Sequence, residues 1–148
     1  MAWITPTEND AYGVVNEKLM AAARTKVIAT GQADPLFEEL SKAVGRVRGA
    51  IGASGKYTLG AGDTVPFRLK EATMNIFAVM ILGRLDLDVS EVKMTLYKSA
   101  EATLRDVRDG KFDIGETETP TDEASAGNYT PEICGRERQW GRDAQDGA

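Results

Sequence analysis

Residues 49–58, GAIGASGKYT, are the part of this sequence whose residue types come nearest to a nucleotide-binding loop. Such a loop has the pattern G-x-x-x-x-G-K-[ST] and lies between a strand and a helix. Here Ala50 stands where the first glycine belongs, and Tyr57 replaces the hydroxyl residue that would bind magnesium. The preceding apolar residues have helical spacing: Leu36, Leu40, Val44, Val47 and Ile51. The pattern therefore argues against a nucleotide site, and it predicts that Gly55 ends a helix in the left-handed conformation.

Other catalytic chemistry has few candidate residues. The sequence contains no histidine, so the commonest general base and metal ligand is missing. Its single cysteine, Cys134, cannot form an internal disulfide and is typical of a reducing compartment. Carboxylates and lysines remain available, but no spacing singles out a pair, and an enzyme of that kind is the weakest hypothesis. We therefore expect a protein that is not an enzyme, with no catalytic residue, no metal site and no cofactor.

Membrane insertion and secretion are also not expected from the sequence. The most apolar run, residues 76–82, is much shorter than the roughly 20 residues that a membrane-spanning helix needs. The first residues lack the basic start and long apolar core of a signal peptide.

Periodicity and capping residues predict an all-α fold, a small four-helix bundle. The predicted helical segments are residues 5–28, 35–53, 64–85 and 90–110. Their predicted starts are Thr5-Pro6, Asp34-Pro35, Asp63 or Thr64 with Pro66 in the first turn, and Ser90. The first segment is either one helix or two that separate at Gly13. The third is apolar around most of its circumference, so we expect it to be central.

Two further expectations concern how these helices pack and end. The apolar stripe of the fourth helix is predicted to face the core: Val92, Leu96, Ala100, Leu104 and Val107. Gly110 is expected to end this helix, and a glycine-rich connection at residues 54–64 is expected to join the second and third. Lys42, Arg46 and Arg48 are interpreted as a solvated face, because acids interleave with the bases throughout and leave no concentrated basic patch for nucleic acid.

The chain changes character near residue 114. Residues 1–112 carry 15 basic and 14 acidic side chains, whereas residues 113–148 carry 3 and 9. Residues 115–128 contain no large apolar side chain, a composition that cannot offset the entropy of ordering. We therefore predict a helical domain at 1–114 and a flexible acidic tail at 115–148. The tail ends in a predicted docking segment rich in interface-type side chains: Tyr129, Ile133, Arg136, Arg138 and Trp140. The alternative is that Trp140 folds back onto its own domain, and Trp3 is expected to pack in the core.

Several stretches in order resemble a known class of protein. MAWIT at the start, AVGRVRGAIGASGKYTL, a helix led by Pro66, and YKSAEATLRDVRDGKFDI are similar to the small helical head–tail connector, or adaptor, proteins of tailed phages and Mu-like prophages. The resemblance covers residues 1 to about 114. KYTL at 56–59 resembles their aromatic loop, and Gly110-Lys111 matches the end of their last helix. The departures are a longer first segment, Lys56 in place of an arginine, and the tail after Ile114.

The resemblance implies a structural role in the virion neck. Such proteins form a homo-oligomeric ring, expected here to be dodecameric, beneath the portal protein and contact the next neck or tail protein. DNA passes through the ring without specific binding, and no membrane is involved. Lys56 and Tyr57 would then lie in a subunit-contact or portal-facing loop, and the protein would be made in the host cytoplasm. The alternative is a small cytoplasmic helical adaptor or regulatory protein that binds one protein partner through its C-terminal tail.

Overall fold

Five α-helices and one pair of short antiparallel strands occupy the part of the chain that the computed structural model describes, residues 2–26, 31 and 33–115. In chain order the elements are β1 (Trp3–Ile4), α1 (Glu8–Ala11), α2 (Glu17–Thr25), α3 (Pro35–Ser54), β2 (Val65–Pro66), a 3-10 turn (Phe67–Leu69), α4 (Lys70–Arg84) and α5 (Glu91–Arg108). The prediction of a predominantly helical chain is confirmed. The predicted tail at 115–148 lies outside the described residues except for Gly115, and so does Cys134.

The N-terminal segment differs from its prediction. Residues Trp3 and Ile4 pair antiparallel with β2, which keeps the chain extended where a helix was expected to begin at Pro6. The first helix starts two residues later, after Thr7, whose N–H and hydroxyl both donate to the Asp10 carboxylate at 3.0 Å. The prediction of Thr5 as the cap is therefore wrong, because strand pairing overrides the local capping signal.

Within the predicted first segment, the described residues form two helices rather than one. Helix α1 is only four residues long, and α2 begins at Glu17 after a turn that contains Gly13. Asn16 caps α2 by accepting a hydrogen bond from the Lys18 N–H at 2.9 Å. A break at Gly13 was one of the two predicted outcomes.

Helix α3 begins and ends where the sequence predicts. The Asp34 carboxylate accepts a hydrogen bond from the Leu36 N–H at 3.1 Å, and Pro35 opens the helix. Gly55 follows the last helical residue with φ of 65°, a conformation that glycine adopts without steric cost. The predicted stripe is buried along the whole helix: Leu36, Leu40, Val44, Val47 and Ile51.

Helix α4 is the central element, as its uniform hydrophobicity predicts. It packs against α1, α2, α3 and α5, and Phe77, Ile76 and Ile81 on it are fully buried. Its predicted start is wrong, because Pro66 belongs to β2 and the α-helix begins only at Lys70, after the 3-10 turn.

Helix α5 buries three of the five residues of its predicted stripe. Ser90 caps it, accepting a hydrogen bond from the Lys93 N–H, and Gly110 follows its end with φ of 70°. Ala100, Leu104 and Val107 are buried, as predicted. Val92 and Leu96 remain 70% and 39% exposed, so the prediction that they face the core is wrong. The first two turns of α5 thus present apolar side chains to solvent.

A buried ion pair joins α3 to the end of α4. Nη1 of Arg84 lies 3.1 Å from Oε1 of Glu39, and the two side chains are only 7% and 9% exposed. Nζ of Lys42 donates to the same Glu39 oxygen at 2.9 Å. Desolvating both charges is costly, so the pair fixes how α3 and α4 meet more than it adds to stability.

Candidate interaction surfaces

The connection between α3 and β2, residues 55–64, contains the two predicted interface residues that the structure describes. Nζ of Lys56 donates to the carbonyl oxygen of Gly110 at 2.9 Å, which ties the end of α3 to the end of α5. Tyr57 is only 8% exposed and belongs to the hydrophobic core of its own subunit. Their interface role stays a prediction. The other predicted interface residues lie outside the described residues: Tyr129, Ile133, Arg136, Arg138 and Trp140.

Two internal contacts hold this connection against the domain. The guanidinium of Arg48 donates to the carbonyl oxygens of Thr64 at 2.7 Å and Gly60 at 2.9 Å. The Trp3 ring covers Gly60 so closely that a Cβ atom there would lie 2.5 Å from Cδ2 of the indole. The prediction of a solvated face is therefore wrong for Arg48, which positions the loop. Trp3 is partly buried and packs against the core, in line with its prediction.

A groove of about 440 Å³ runs between α3 and α5, and we call it the arginine groove. Its lining residues are Arg46, Gly49, Ala50, Ala53, Glu101, Leu104, Arg105 and Arg108. Beyond Arg46 the α3 wall consists of small residues, and a Cβ atom built on Gly49 would meet nothing within 4 Å. A second chain could therefore approach the α3 backbone closely along this wall.

The charges in the arginine groove are only partly balanced. Nη1 of Arg46 lies 3.4 Å from Oε1 of Glu101 and donates to the Tyr97 hydroxyl at 3.2 Å. The hydrogen bond to Tyr97, aided by the Glu101 charge, raises the pKa of Arg46 above its ordinary value. Arg105 and Arg108 are exposed, and neither side chain makes an ion pair or hydrogen bond with any described residue. The groove thus carries two guanidinium groups that the described part of the chain does not neutralise.

An apolar cavity of about 480 Å³ lies where α1 approaches the start of α4. Its lining residues are Asp10, Val14, Phe67, Arg68, Lys70, Glu71 and Met74. Phe67 is 58% exposed, which is unusual for a large aromatic side chain beside a cavity. Nζ of Lys70 lies 2.6 Å from Oδ1 of Asp10 at the rim. This contact is the main cause of the lowered pKa of Asp10, and the Thr7 N–H lowers it further.

A smaller cavity of about 190 Å³ lies between α4 and α5 and shares two lining residues, Arg68 and Glu71, with the apolar cavity. Leu96 lines it, and Val92 lies one turn earlier on α5. We call the set Val14, Phe67, Val92 and Leu96 the apolar face. Leu96 on the α4 side and Arg105 on the α3 side place the apolar face and the arginine groove on opposite flanks of α5.

The chain leaves the described region beside the smaller cavity. Arg68 donates to both the carboxylate of Asp113 at 2.8 Å and its carbonyl oxygen at 3.0 Å. The Gly115 N–H donates to the Asp113 carboxylate and is the largest cause of its lowered pKa, with Arg68 adding to it. Phe112 lines the smaller cavity. These contacts hold Gly115 near the start of α4.

Sequence reasoning missed both surfaces. Glu101, Arg105 and Arg108 have i, i+4, i+7 spacing, and this signal could have placed them on one flank of α5. The apolar face has no comparable signal, because Val92 and Leu96 continue the same stripe that is buried further along the helix. Only the direction of α5 relative to α4 determines which part of the stripe is buried and which part is exposed.

The described residues contain neither a candidate metal-binding cluster nor a membrane-spanning helix. No group of three or more cysteine, aspartate or glutamate side chains there could hold a metal ion. None of the described helices is long and apolar enough to cross a membrane. Comparison of the chain with protein-family models, with curated proteins and with solved structures gives no match.

Proposed function

We propose that this protein is a structural virion protein, a head–tail connector that assembles as a ring beneath the portal and extends the DNA channel toward the tail. The observation that carries the proposal is the pair of chemically different surfaces on opposite flanks of α5, the apolar face and the arginine groove. A connector needs at least two distinct contacts, whereas an adaptor for one partner needs one.

Ring assembly requires that one surface of a subunit meets a different surface of its neighbour. The apolar face supplies the desolvated centre that such an interface needs, since Phe67 and Val92 are 58% and 70% exposed in the single chain. Aromatic anchors of this kind carry much of the binding energy in interfaces. The sequence resemblance to phage connectors supports the same assignment.

The finer architecture belongs to this proposal. Helices α2 to α5 would form the four-helix bundle, and α1 would be an extra turn. The glycine-rich connection at 55–64, fixed by Arg48 and Trp3, would be the loop that contacts a neighbour or the portal. The acidic tail would lie near the DNA channel, where an excess of acids avoids the phosphate contacts that retard sliding. In this assignment the chain has no catalytic role.

The test is assembly of the full chain with the portal protein from the same genome, observed by mass photometry and electron microscopy. We expect closed rings on the portal, and we expect Phe67→Asp to abolish them while the circular dichroism spectrum stays unchanged. Phe37→Asp is the matched control, because Phe37 is equally exposed, at 61%, and lines none of the three cavities described above.

The proposal fails if the wild-type chain stays monomeric with the portal present, or if it binds a single cellular protein through residues 115–148 instead. The claim that the apolar face is an assembly contact also fails if Phe37→Asp disrupts assembly as strongly as Phe67→Asp. A cytoplasmic adaptor predicts the second of these outcomes, with one copy per target.

A further inference from the structure

The arginine groove has an excess of positive charge that the described chain leaves unbalanced. Glu101 and Tyr97 engage Arg46, so this guanidinium is already paired. Arg105 and Arg108 have no such partner among the described residues. Both are on the last turn of α5 and are exposed, so their charges point to an anionic occupant rather than to an internal role.

The shape of the arginine groove suits an extended peptide. Beyond Arg46 its α3 wall is formed by Gly49, Ala50 and Ala53, and its floor includes the buried side chain of Leu104. Small side chains on one wall let a peptide backbone approach, while arginines on the other wall can bind carboxylates in bidentate fashion. A narrow cationic groove with a partly apolar floor therefore favours an acidic peptide.

The same chain contains such a peptide immediately beyond the described region. Residues 116–123, ETETPTDE, contain four acidic side chains and no basic one. We propose that this segment occupies the arginine groove of its own subunit, with its carboxylates paired to Arg105 and Arg108. This proposal does not depend on the connector function; in a connector ring the segment would have to leave the groove before the groove contacts another subunit.

The reach of the segment is sufficient for binding within one subunit. Asp113 is held by Arg68 on the α4 flank of α5, and the groove lies on the α3 flank. The segment must therefore pass around one helix, whose diameter with side chains is about 10–12 Å. Eight residues span at most about 26–29 Å when extended. The tether also gives the segment a local concentration in the millimolar range, which favours its own groove over that of another copy.

The single cysteine makes a direct test available. Cys134 is the only thiol, so a nitroxide spin label attached to it reports where the tail lies without any engineered residue. In the ¹⁵N-labelled full chain, we expect the label to broaden the amide signals of Gly49, Ala53 and Arg105 more than those of α2. We expect this broadening to disappear at 1 M salt, where the screening length is about 3 Å.

Charge variants decide whether the arginines are responsible. Arg105→Glu with Arg108→Glu should remove the broadening, and reversing the four acids of 116–123 to lysine in that background should restore it. The variant Arg105→Gln with Arg108→Gln serves the same purpose if charge reversal disturbs the end of α5. Lys98→Gln is the matched control on an exposed part of α5 outside the groove and should leave the broadening unchanged.

Three results would overturn the proposal. The first is absence of broadening in the groove, and the second is broadening that survives the double arginine variants. The third is broadening seen only when a spin-labelled chain without ¹⁵N is mixed with an unlabelled ¹⁵N chain, because the occupant would then come from another copy. Groove signals that shift on titration with a short DNA duplex, with no broadening from the tail, would assign the arginines to phosphate instead.

Discussion

At the scale of single residues, the most demanding feature is the charged pair formed by Arg84 and Glu39. Both side chains are more than nine-tenths buried, and Nε and Nη2 of Arg84 are buried without a hydrogen-bond partner among the described residues. A guanidinium in that position depends on its carboxylate partner, because an unpaired buried charge costs several kcal/mol. Sequence alone could not predict this pair, since the two residues are 45 positions apart and each is a charged residue of a type that is usually exposed.

Glu39→Ala should lower the free energy of unfolding by about 3–5 kcal/mol, because it leaves the buried Arg84 with only the more distant Glu38 carboxylate, 4.0 Å from Nη1. Urea denaturation followed by circular dichroism measures this loss. Lys42→Ala removes the exposed partner of the same carboxylate and should cost no more than about 1 kcal/mol. Replacing both Glu39 and Arg84 by methionine should cost less than Glu39→Ala alone. Equal losses for Glu39→Ala and Lys42→Ala would show that the buried charge is not the controlling factor.

The Asp10 carboxylate predicts a specific dependence of stability on pH. Its folded-state pKa is lowered from 3.8, first by the hydrogen bond from Lys70 and then by that from Thr7. A lowered pKa stabilises the fold above the unfolded-state value, and this stabilisation is lost as pH falls below 3.8 through the folded-state pKa. Asp10→Asn should therefore be less stable than wild type at pH 7, by about 1 kcal/mol or less, and should match it at the acid end. Urea titrations at a series of pH values check this, and a difference that grows on acidification would contradict it.

At the scale of elements, the sequence correctly predicts the helix boundaries that neighbouring residues determine. The start of α3 at Asp34-Pro35 and its end at Gly55, like the Ser90 cap of α5, depend on residues adjacent in the chain. The predicted starts of α1 and α4 are wrong for a common reason: β1 and β2 pair although they lie about 60 residues apart in the chain, and the pairing holds both segments extended. No local signal reports such a pairing.

Gly60 and Gly45 differ in whether the structure leaves room for a side chain at their position. Gly60→Ala should lower the free energy of unfolding by about 1–3 kcal/mol, because the new methyl group would collide with the Trp3 ring and β1 would have to move. Gly45→Ala is the matched control, since a Cβ atom there meets nothing within 4 Å and alanine favours the helix by about 1 kcal/mol. Thermal denaturation should therefore show opposite shifts. Two shifts of the same sign would contradict the packing described for the connection at 55–64.

At the scale of the whole molecule, the candidate surfaces were less predictable than the helices. The tail residues that sequence composition suggests for docking lie outside the described chain, while Lys56 and Tyr57 make internal contacts. The apolar face and the arginine groove instead arise from how α5 lies between α3 and α4. An interaction surface made by packing of distant segments has no signature in the sequence of any one of them.

The connector assignment is tested most directly by quantitative mass spectrometry of gradient-purified phage particles from the source strain. The proposed ring beneath the portal predicts that this chain is present in particles at a copy number that matches the portal's. Its presence in the cell together with absence from particles would contradict the assignment and favour a cytoplasmic adaptor.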